Sequence, residues 1–183
     1  MQEYPSESIN SAESLFCIGS YHARRLRQVD LPLVWTLNEQ CSDFFVLQNG
    51  APADEDEAQK IFSEVPPGRS VDDKLPIGFF DSNGALAGLI DTLRNYRVDF
   101  DWWISLIVLA PALRNAGLGS ALYGAFENYA LKSGAKRLLL AVLDDNIRAQ
   151  RFWSQRGFRK VRNHPPQRYG NRVHACIEYE KSL

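Results

Sequence analysis

The chain has only three cysteines in 183 residues, Cys17, Cys41 and Cys176, with no C-x-x-C pair among them. An odd, widely spaced set excludes a disulfide framework and lacks zinc-site spacing, so no metal is expected and a reducing cytoplasm is the expected compartment. No apolar run reaches the roughly 18 to 20 residues of a membrane span. Met1 to Asn10 lacks the basic start and apolar stretch of a signal peptide, so neither secretion nor a membrane partner is expected. A charge excess is missing too: 21 Lys+Arg stand against 22 Asp+Glu, a formal net charge of -1. That excludes a bulk polycation coating nucleic acid or anionic lipid. There is no internal repeat, low-complexity tract or linker.

What is present is the composition of a globular protein with one sizeable core, 45% hydrophobic and 23% charged. The even balance hides a split. Residues 1–131 hold 9 basic and 18 acidic groups, and residues 132–183 hold 12 basic and 4 acidic. Fifteen of the basic groups are arginines, the side chain suited to bidentate phosphate contacts, which points to a phosphorylated small ligand.

Residues 1–20 read as an N-terminal extension, its first twelve or so poorly ordered, and 21–183 as a single domain. Tyr21 to Leu26 is a candidate first strand. Asp30 followed by Pro32 opens a helix carrying Leu33, Val34 and Leu37. The cluster Asp54 to Glu57 opens a second helix with Ala58, Ile61, Phe62 and Val65 at helical spacing, stopped by Pro66-Pro67-Gly68. A β meander follows: Ile77 to Phe80, a turn at Ser82-Asn83-Gly84, Leu86 to Leu93, then Trp102 to Leu109 as a strand covered on both faces.

From Leu118 the period changes: Leu118, Ala121, Leu122, Ala125, Phe126, Tyr129 and Ala130 mark an amphipathic helix that Gly134 ends. Arg137 to Leu143 is the next strand, parallel to the one before the helix. A last helix runs from Asp144-Asp145-Asn146 to Gly157, followed by a strand from Phe158. The stretch Asn163 to Arg172, rich in Pro, Arg and Gly, reads as an exposed loop before a final strand over Val173 to Tyr179. The fold class is α+β, or mixed α/β, with a central sheet flanked by about four helices.

Chemistry concentrates between Leu109 and Ala121, where a glycine-containing turn joins a buried strand to a strong helix. Such a turn leaves several backbone N–H groups pointing one way, and the helix dipole adds positive potential, which suits pyrophosphate. The bland alternative is that Gly117 and Gly119 only permit close packing. The Walker and dinucleotide fingerprints both fail here.

The two glycines do not stand alone. Arg114-x-x-Gly117-x-Gly119 follows the strand, and Asn146-x-x-Ala149-x-x-Phe152-Trp153-x-x-x-Gly157-Phe158 follows the next strand. In order and spacing this pair of motifs resembles the GCN5-related N-acetyltransferase (GNAT) superfamily over roughly residues 21 to 180. The resemblance implies a single N-acetyltransferase domain with a mostly antiparallel mixed sheet of about six or seven strands. Two of those strands would splay apart to admit acetyl-CoA, the only cosubstrate implied.

It also implies roles. The backbone of Ile107, Val108 and Leu109 would bind pantetheine, with the Leu109 N–H polarising the thioester carbonyl. Arg114, Asn115, Ala116, Gly117, Leu118, Gly119 and Ser120 would cradle the pyrophosphate. Asn146 would contact the pantetheine arm, and Arg148 or Arg151 the 3′-phosphate. Many relatives carry a tyrosine acid seven residues after the asparagine. Here Trp153 stands in its place, an indole that cannot act as an acid and that would pack beside the pantetheine arm.

A lysine-like acceptor amine has to lose a proton before it attacks, and the candidate bases are Asp91 and Asp101, acting directly or through water; the alternative for each is a strand-edge or turn carboxylate. His174, without a carboxylate close in sequence, reads as structural. Cys41 to Phe45 is a candidate wall of the acceptor pocket, or a helix end tucked into the core. Trp102 and Trp103 straddle one strand, and at least one belongs to the core.

The leading expectation is acetyl transfer from acetyl-CoA to a primary amine, on a small molecule or a protein, by direct attack in a ternary complex in a monomer or homodimer. The alternative is a non-catalytic acyl-CoA-binding or regulatory domain. A third reading is recognition of RNA or a ribosomal protein through Arg156 to Arg172. Nucleic acid is otherwise not an expected partner.

Overall fold

The computed structural model describes residues 14–183 as one eight-stranded mixed sheet with five α-helices. In chain order the elements are β1 (Ser14–Ile18), β2 (Tyr21–Arg25), α1 (Leu31–Gln40), α2 (Ser42–Asn49), α3 (Glu55–Ser63), β3 (Lys74–Phe80), β4 (Leu86–Leu93), β5 (Asp101–Leu109), α4 (Leu118–Lys132), β6 (Arg137–Leu143), α5 (Ile147–Gln155), β7 (Arg159–Tyr169) and β8 (Arg172–Ser182). The strands lie in the order β1-β2-β3-β4-β5-β6-β8-β7, and every neighbouring pair is antiparallel except β5 and β6. The strand–helix–strand pattern of the sequence therefore gives the parallel pair it predicts.

Alternation along the strands sends apolar side chains to two separate cores. On one face Ile77, Phe79, Ile90, Trp102, Ile104, Leu138, Leu140 and Tyr179 pack under Leu122, Phe126 and Ala130 of α4 and Trp153 of α5. On the other, Phe80, Leu86, Leu89 and Val108 meet Val34 and Leu37 of α1, Phe45 of α2 and Ala58 and Ile61 of α3. The helices of this second face cover the middle of the sheet, and beyond them it carries Leu139 and Leu143 on β6 and Cys176, Glu178 and Glu180 on β8. Local signals behave as their chemistry requires. Asp54 Oδ1 accepts the Glu57 N–H and caps α3, and Asp81 Oδ1 accepts the N–H groups of Asn83 and Ala85 to close the β3–β4 turn over Gly84 at φ 80°.

Several expectations are corrected. Strand β1 lies inside the stretch assigned to an N-terminal extension, pairs with β2 and packs Phe16 on Tyr129 of α4 at 5.6 Å. Residues 1–13 of that extension lie outside the described residues. Asp30 does not cap α1 with its side chain, because both its oxygens pair with Arg24. The segment after α1 is a further helix, α2. Asn163 to Arg172 is not a loop: β7 runs through it, and Pro165 and Pro166 fall in a register shift between His164 and Gln167. Strand β7 is an edge strand, where a missing N–H is tolerated. Among the described residues no helix is long and apolar enough to cross a membrane.

Candidate active site

The site begins where the parallel pair ends. Strands β5 and β6 are in register from Asp101↔Arg137 to Ile104↔Leu140 and no further. Beyond that point β5 continues with β4, and β6 with β8, so the two strands part and leave a wedge. Its vertex coincides with a bulge: Asp91 pairs with Leu106 and Thr92 with Ile104, which leaves Ser105 as the extra residue. The Ala110 N–H bonds to Ala87 O of β4, and in an antiparallel ladder alternate residues point to opposite sides. The N–H and C=O groups of Ile107 and Leu109 therefore face the wedge. Leu109 O is taken by Arg114 Nε at 2.8 Å and approached by Cys41 Sγ at 3.6 Å; the two N–H groups point away from β4, on the side where pairing with β6 has ended at Ile104.

The turn after β5 continues this unpaired backbone. Asn115 and Gly117 both adopt left-handed conformations, φ 68° and 81°, and the N–H groups of Asn115, Ala116, Gly117, Leu118 and Gly119 find no acceptor among the described residues. Five consecutive free donors at the start of the 15-residue helix α4 form an anion-binding nest reinforced by the helix dipole. Gly119 has open space where a Cβ would stand. Nest and wedge belong to one cavity of 590 Å³, lined by Asp43, Phe44 and Leu47 of α2, Ile107 to Leu109, Arg114, Asn115, Gly117, Gly119, Ser120, and Asn146, Arg148, Ala149, Phe152 and Trp153 of α5 and its start.

Three arginines surround the nest. Arg114 bridges Leu109 O and Asp43, and this hydrogen bond holds the Asp43 carboxyl below its ordinary range. Arg148 donates to Asn115 Oδ1 at 2.7 Å. Arg156 donates to the Ser120 hydroxyl and lies 4.3 Å over the Phe152 ring. The sequence reading missed Arg156, although Arg148, Phe152 and Arg156 recur every fourth residue and so share one side of the chain near α5. Arg151, expected here, is exposed and outside the cavity. Ala116 and Leu118 offer only backbone: Ala116 is exposed and Leu118 packs on the core. Asn146 caps α5 through Oδ1, bonded to the Ala149 N–H at 3.0 Å. Trp153 lines the cavity and is 4% exposed, edge-on to Tyr123, Phe152 and Phe158 at 5.0–5.2 Å.

The candidate bases fare differently. Asp101 sits at the opposite end of β5 from the wedge and is held by both Nε and Nη2 of Arg137, so it is a structural ion pair. Asp91 pairs with Leu106 next to the bulge, on the face covered by α1 to α3, and Lys74 Nζ reaches its Oδ2 at 2.8 Å. Its Oδ1 is buried without a partner among the described residues. Burial raises its pKa to about 6 against the opposing pull of the Lys74 charge, with Glu64 adding to the rise. His174 Nε2 meets Gln48 O at 3.2 Å, and the fold brings a carboxylate that is distant in sequence, Asp145, to 3.4 Å from its Nδ1. Trp102 is in the core, and Trp103 stacks on Tyr96.

A strand wedge thus opens onto a helix start with unpaired N–H groups. Residues 36–158 match the acetyltransferase (GNAT) family, and the chain belongs to it. The fold resembles an acetyltransferase from Thermus thermophilus (TM-score 0.69, 21% identity, 90% of this chain and 97% of that one). It also resembles the ribosomal-protein-S18-alanine N-acetyltransferase of Escherichia coli (0.66, 17%, 89% and 94%). A third likeness is to spermidine N-acetyltransferase of Vibrio cholerae in complex with CoA and spermine (0.69, 15%, 89% and 95%). No curated protein sequence matches the chain.

Proposed function

We propose that this protein moves an acetyl group from acetyl-CoA to a primary amine by direct attack in a ternary complex. The observation that carries the reading is the continuity of backbone donors, from the unpaired nest at residues 115–119 to the wedge-facing strand N–H groups of Leu109 and Ile107, along a single cavity. The nest takes the pyrophosphate, with Arg114, Arg148 and Arg156 meeting phosphate oxygens and Arg148 or Arg156 the 3′-phosphate. The amides of the pantetheine arm continue the ladder on β5 where β6 has departed. The wedge N–H groups of β5 then polarise the thioester carbonyl as charge develops on its oxygen.

The amine nitrogen bonds to the carbonyl carbon, the carbon–sulfur bond breaks, and the amine's proton leaves through water. Asp91 is suited to receive it: a carboxylate of pKa about 6 is mainly ionised at neutral pH yet basic enough to take a proton. The departing thiolate needs little help, since a thiol has a pKa of roughly 8.5, and Trp153 supplies no proton. The buried tryptophan at that position also favours a second reading, a domain that binds acyl-CoA without turning it over.

Thiol release from acetyl-CoA across a panel of amines separates the two. At least one amine is expected to accelerate release. With that amine saturating, the rate should fall as pH drops through about 6, where Asp91 protonates, and Asp91→Asn should remove this limb. Binding of acetyl-CoA with no amine-dependent release would favour the second reading. A limb that survives Asp91→Asn would exclude Asp91 as the base.

A further inference from the structure

On the open face of the sheet, beside the wedge vertex, lies a polar cluster that nothing above uses. Glu178 on β8 pairs with Ala141, the first residue of β6 past the parallel register, and across the vertex stands the bulge residue Ser105. Both Ala141 and Ser105 are exposed. Ile177 and Tyr179 point into the core under α4 and α5, so Glu178 points to the other face.

Its carboxylate is 1% exposed and unevenly served. Arg97 and Arg162 Nη2 and His164 Nε2 all converge on Oε2, at 2.8, 3.1 and 2.8 Å, whereas Oε1 is buried with no partner among the described residues. An orphaned carboxylate oxygen in a native fold calls for a function or a guest. The cations outweigh the effect of burial and hold Glu178 ionised.

The charge count around it is unbalanced as well. Nearby on this face two arginines serve two carboxylates, Arg137 bridging Asp101 and Glu180 and Arg159 meeting Glu180. At Glu178 two arginines face one carboxylate. Arg97 and Arg162 keep 34% and 54% of their side-chain surface exposed, so both guanidinium groups can take a second anion. The Tyr96–Trp103 stack, 4.6 Å between rings with Arg97 against Tyr96, walls the cluster toward β5.

We infer that this cluster is the acceptor site and that the acceptor carries a carboxylate on the same small molecule as its amine. Arg97 and Arg162 bind the acceptor's carboxylate, and Glu178 Oε1 receives its ammonium at the edge of the wedge. A polyamine, all cation, would meet the surplus arginine charge and be disfavoured. The inference rests on the acyl-transfer reading for its purpose, and binding tests it independently.

The experiment is calorimetry on the full chain saturated with CoA, titrated with α-, β- and γ-amino acids, their matching carboxamides, and a diamine. At least one acid should bind about tenfold or more tightly than its carboxamide, as charge-assisted pairing requires. Arg162→Ala, at a half-exposed position, should bring that ratio near one with acetyl-CoA affinity unchanged. Glu178→Gln, checked for folding by its melting temperature, should weaken the acid's binding. No acid preferred over its carboxamide, a ratio unchanged in Arg162→Ala, or a diamine bound more tightly than every acid would overturn the inference. An Arg162-dependent preference without thiol release would support the site and remove the transferase reading. Thiol release with a diamine and no acid preference would do the reverse.

Discussion

Gly119→Asp should weaken acetyl-CoA binding by about two orders of magnitude, roughly 2.7 kcal/mol, with little change in the melting temperature of the free protein. A Cβ at this position meets nothing within 4 Å, so the side chain fits. Its carboxylate would compete for the five free N–H groups of the nest and repel the pyrophosphate they are arranged to hold. Gly119→Ala is the control, since it adds bulk in open space without charge. Arg148→Ala and Arg156→Ala should cost less, about tenfold or below, and their effect should shrink with added salt, because both meet phosphate near solvent. Calorimetric titration reads all four. Equal affinity in wild type and Gly119→Asp would remove the nest from the binding account.

The second large effect concerns the position where many relatives carry a tyrosine. Trp153→Ala should destabilise the fold by about 3–5 kcal/mol, because the indole is 4% exposed and shared by three aromatic neighbours, Tyr123, Phe152 and Phe158. Trp153→Phe keeps an aromatic edge in that cluster and should lose far less stability. If Trp153 is packing and not proton donor, Trp153→Phe retains turnover with the same pH profile. Thermal unfolding and thiol release measure the two halves separately. Loss of turnover in Trp153→Phe, with acetyl-CoA still bound, would give the indole a part in the reaction.

Local, periodic features of the fold were legible in the sequence. The seven apolar positions at helical spacing from Leu118 to Ala130 place α4, and the apolar run Arg137 to Leu143 is strand β6 residue for residue. Strand β1 was not legible, because at a sheet edge four of its five residues are half-buried, Cys17 is exposed, and they show no clean alternation. The second half of strand β7 was misread for a definite reason: two prolines, two arginines and a glycine between Asn163 and Arg172 signal a loop, and only its edge position, a tertiary fact, lets the ladder step around the prolines.

The same division holds at the site. The motifs Arg114-x-x-Gly117-x-Gly119 and Asn146 to Phe158 identify the loop and the helix that meet across the wedge, because their chemistry is local. Arg156 was within reach of helical spacing. Asp101 was misassigned because nearness to Trp102 in sequence says nothing about which end of β5 opens. Glu178 is invisible in sequence: its partners Arg97, Arg162 and His164 come from two separate stretches, and only the sheet brings them to one oxygen.

The most direct test of the account is the backbone amide NMR spectrum of the full chain titrated with acetyl-CoA. The N–H groups of Asn115 to Gly119, unpaired among the described residues, and the wedge-facing N–H groups of Ile107 and Leu109 are the donors assigned to the ligand. Saturating acetyl-CoA should shift these resonances most and slow their exchange with water, and amides of the β7–β8 hairpin tip should move little. No change at residues 115–119 at millimolar acetyl-CoA, or the largest changes at a site away from the wedge, would contradict it.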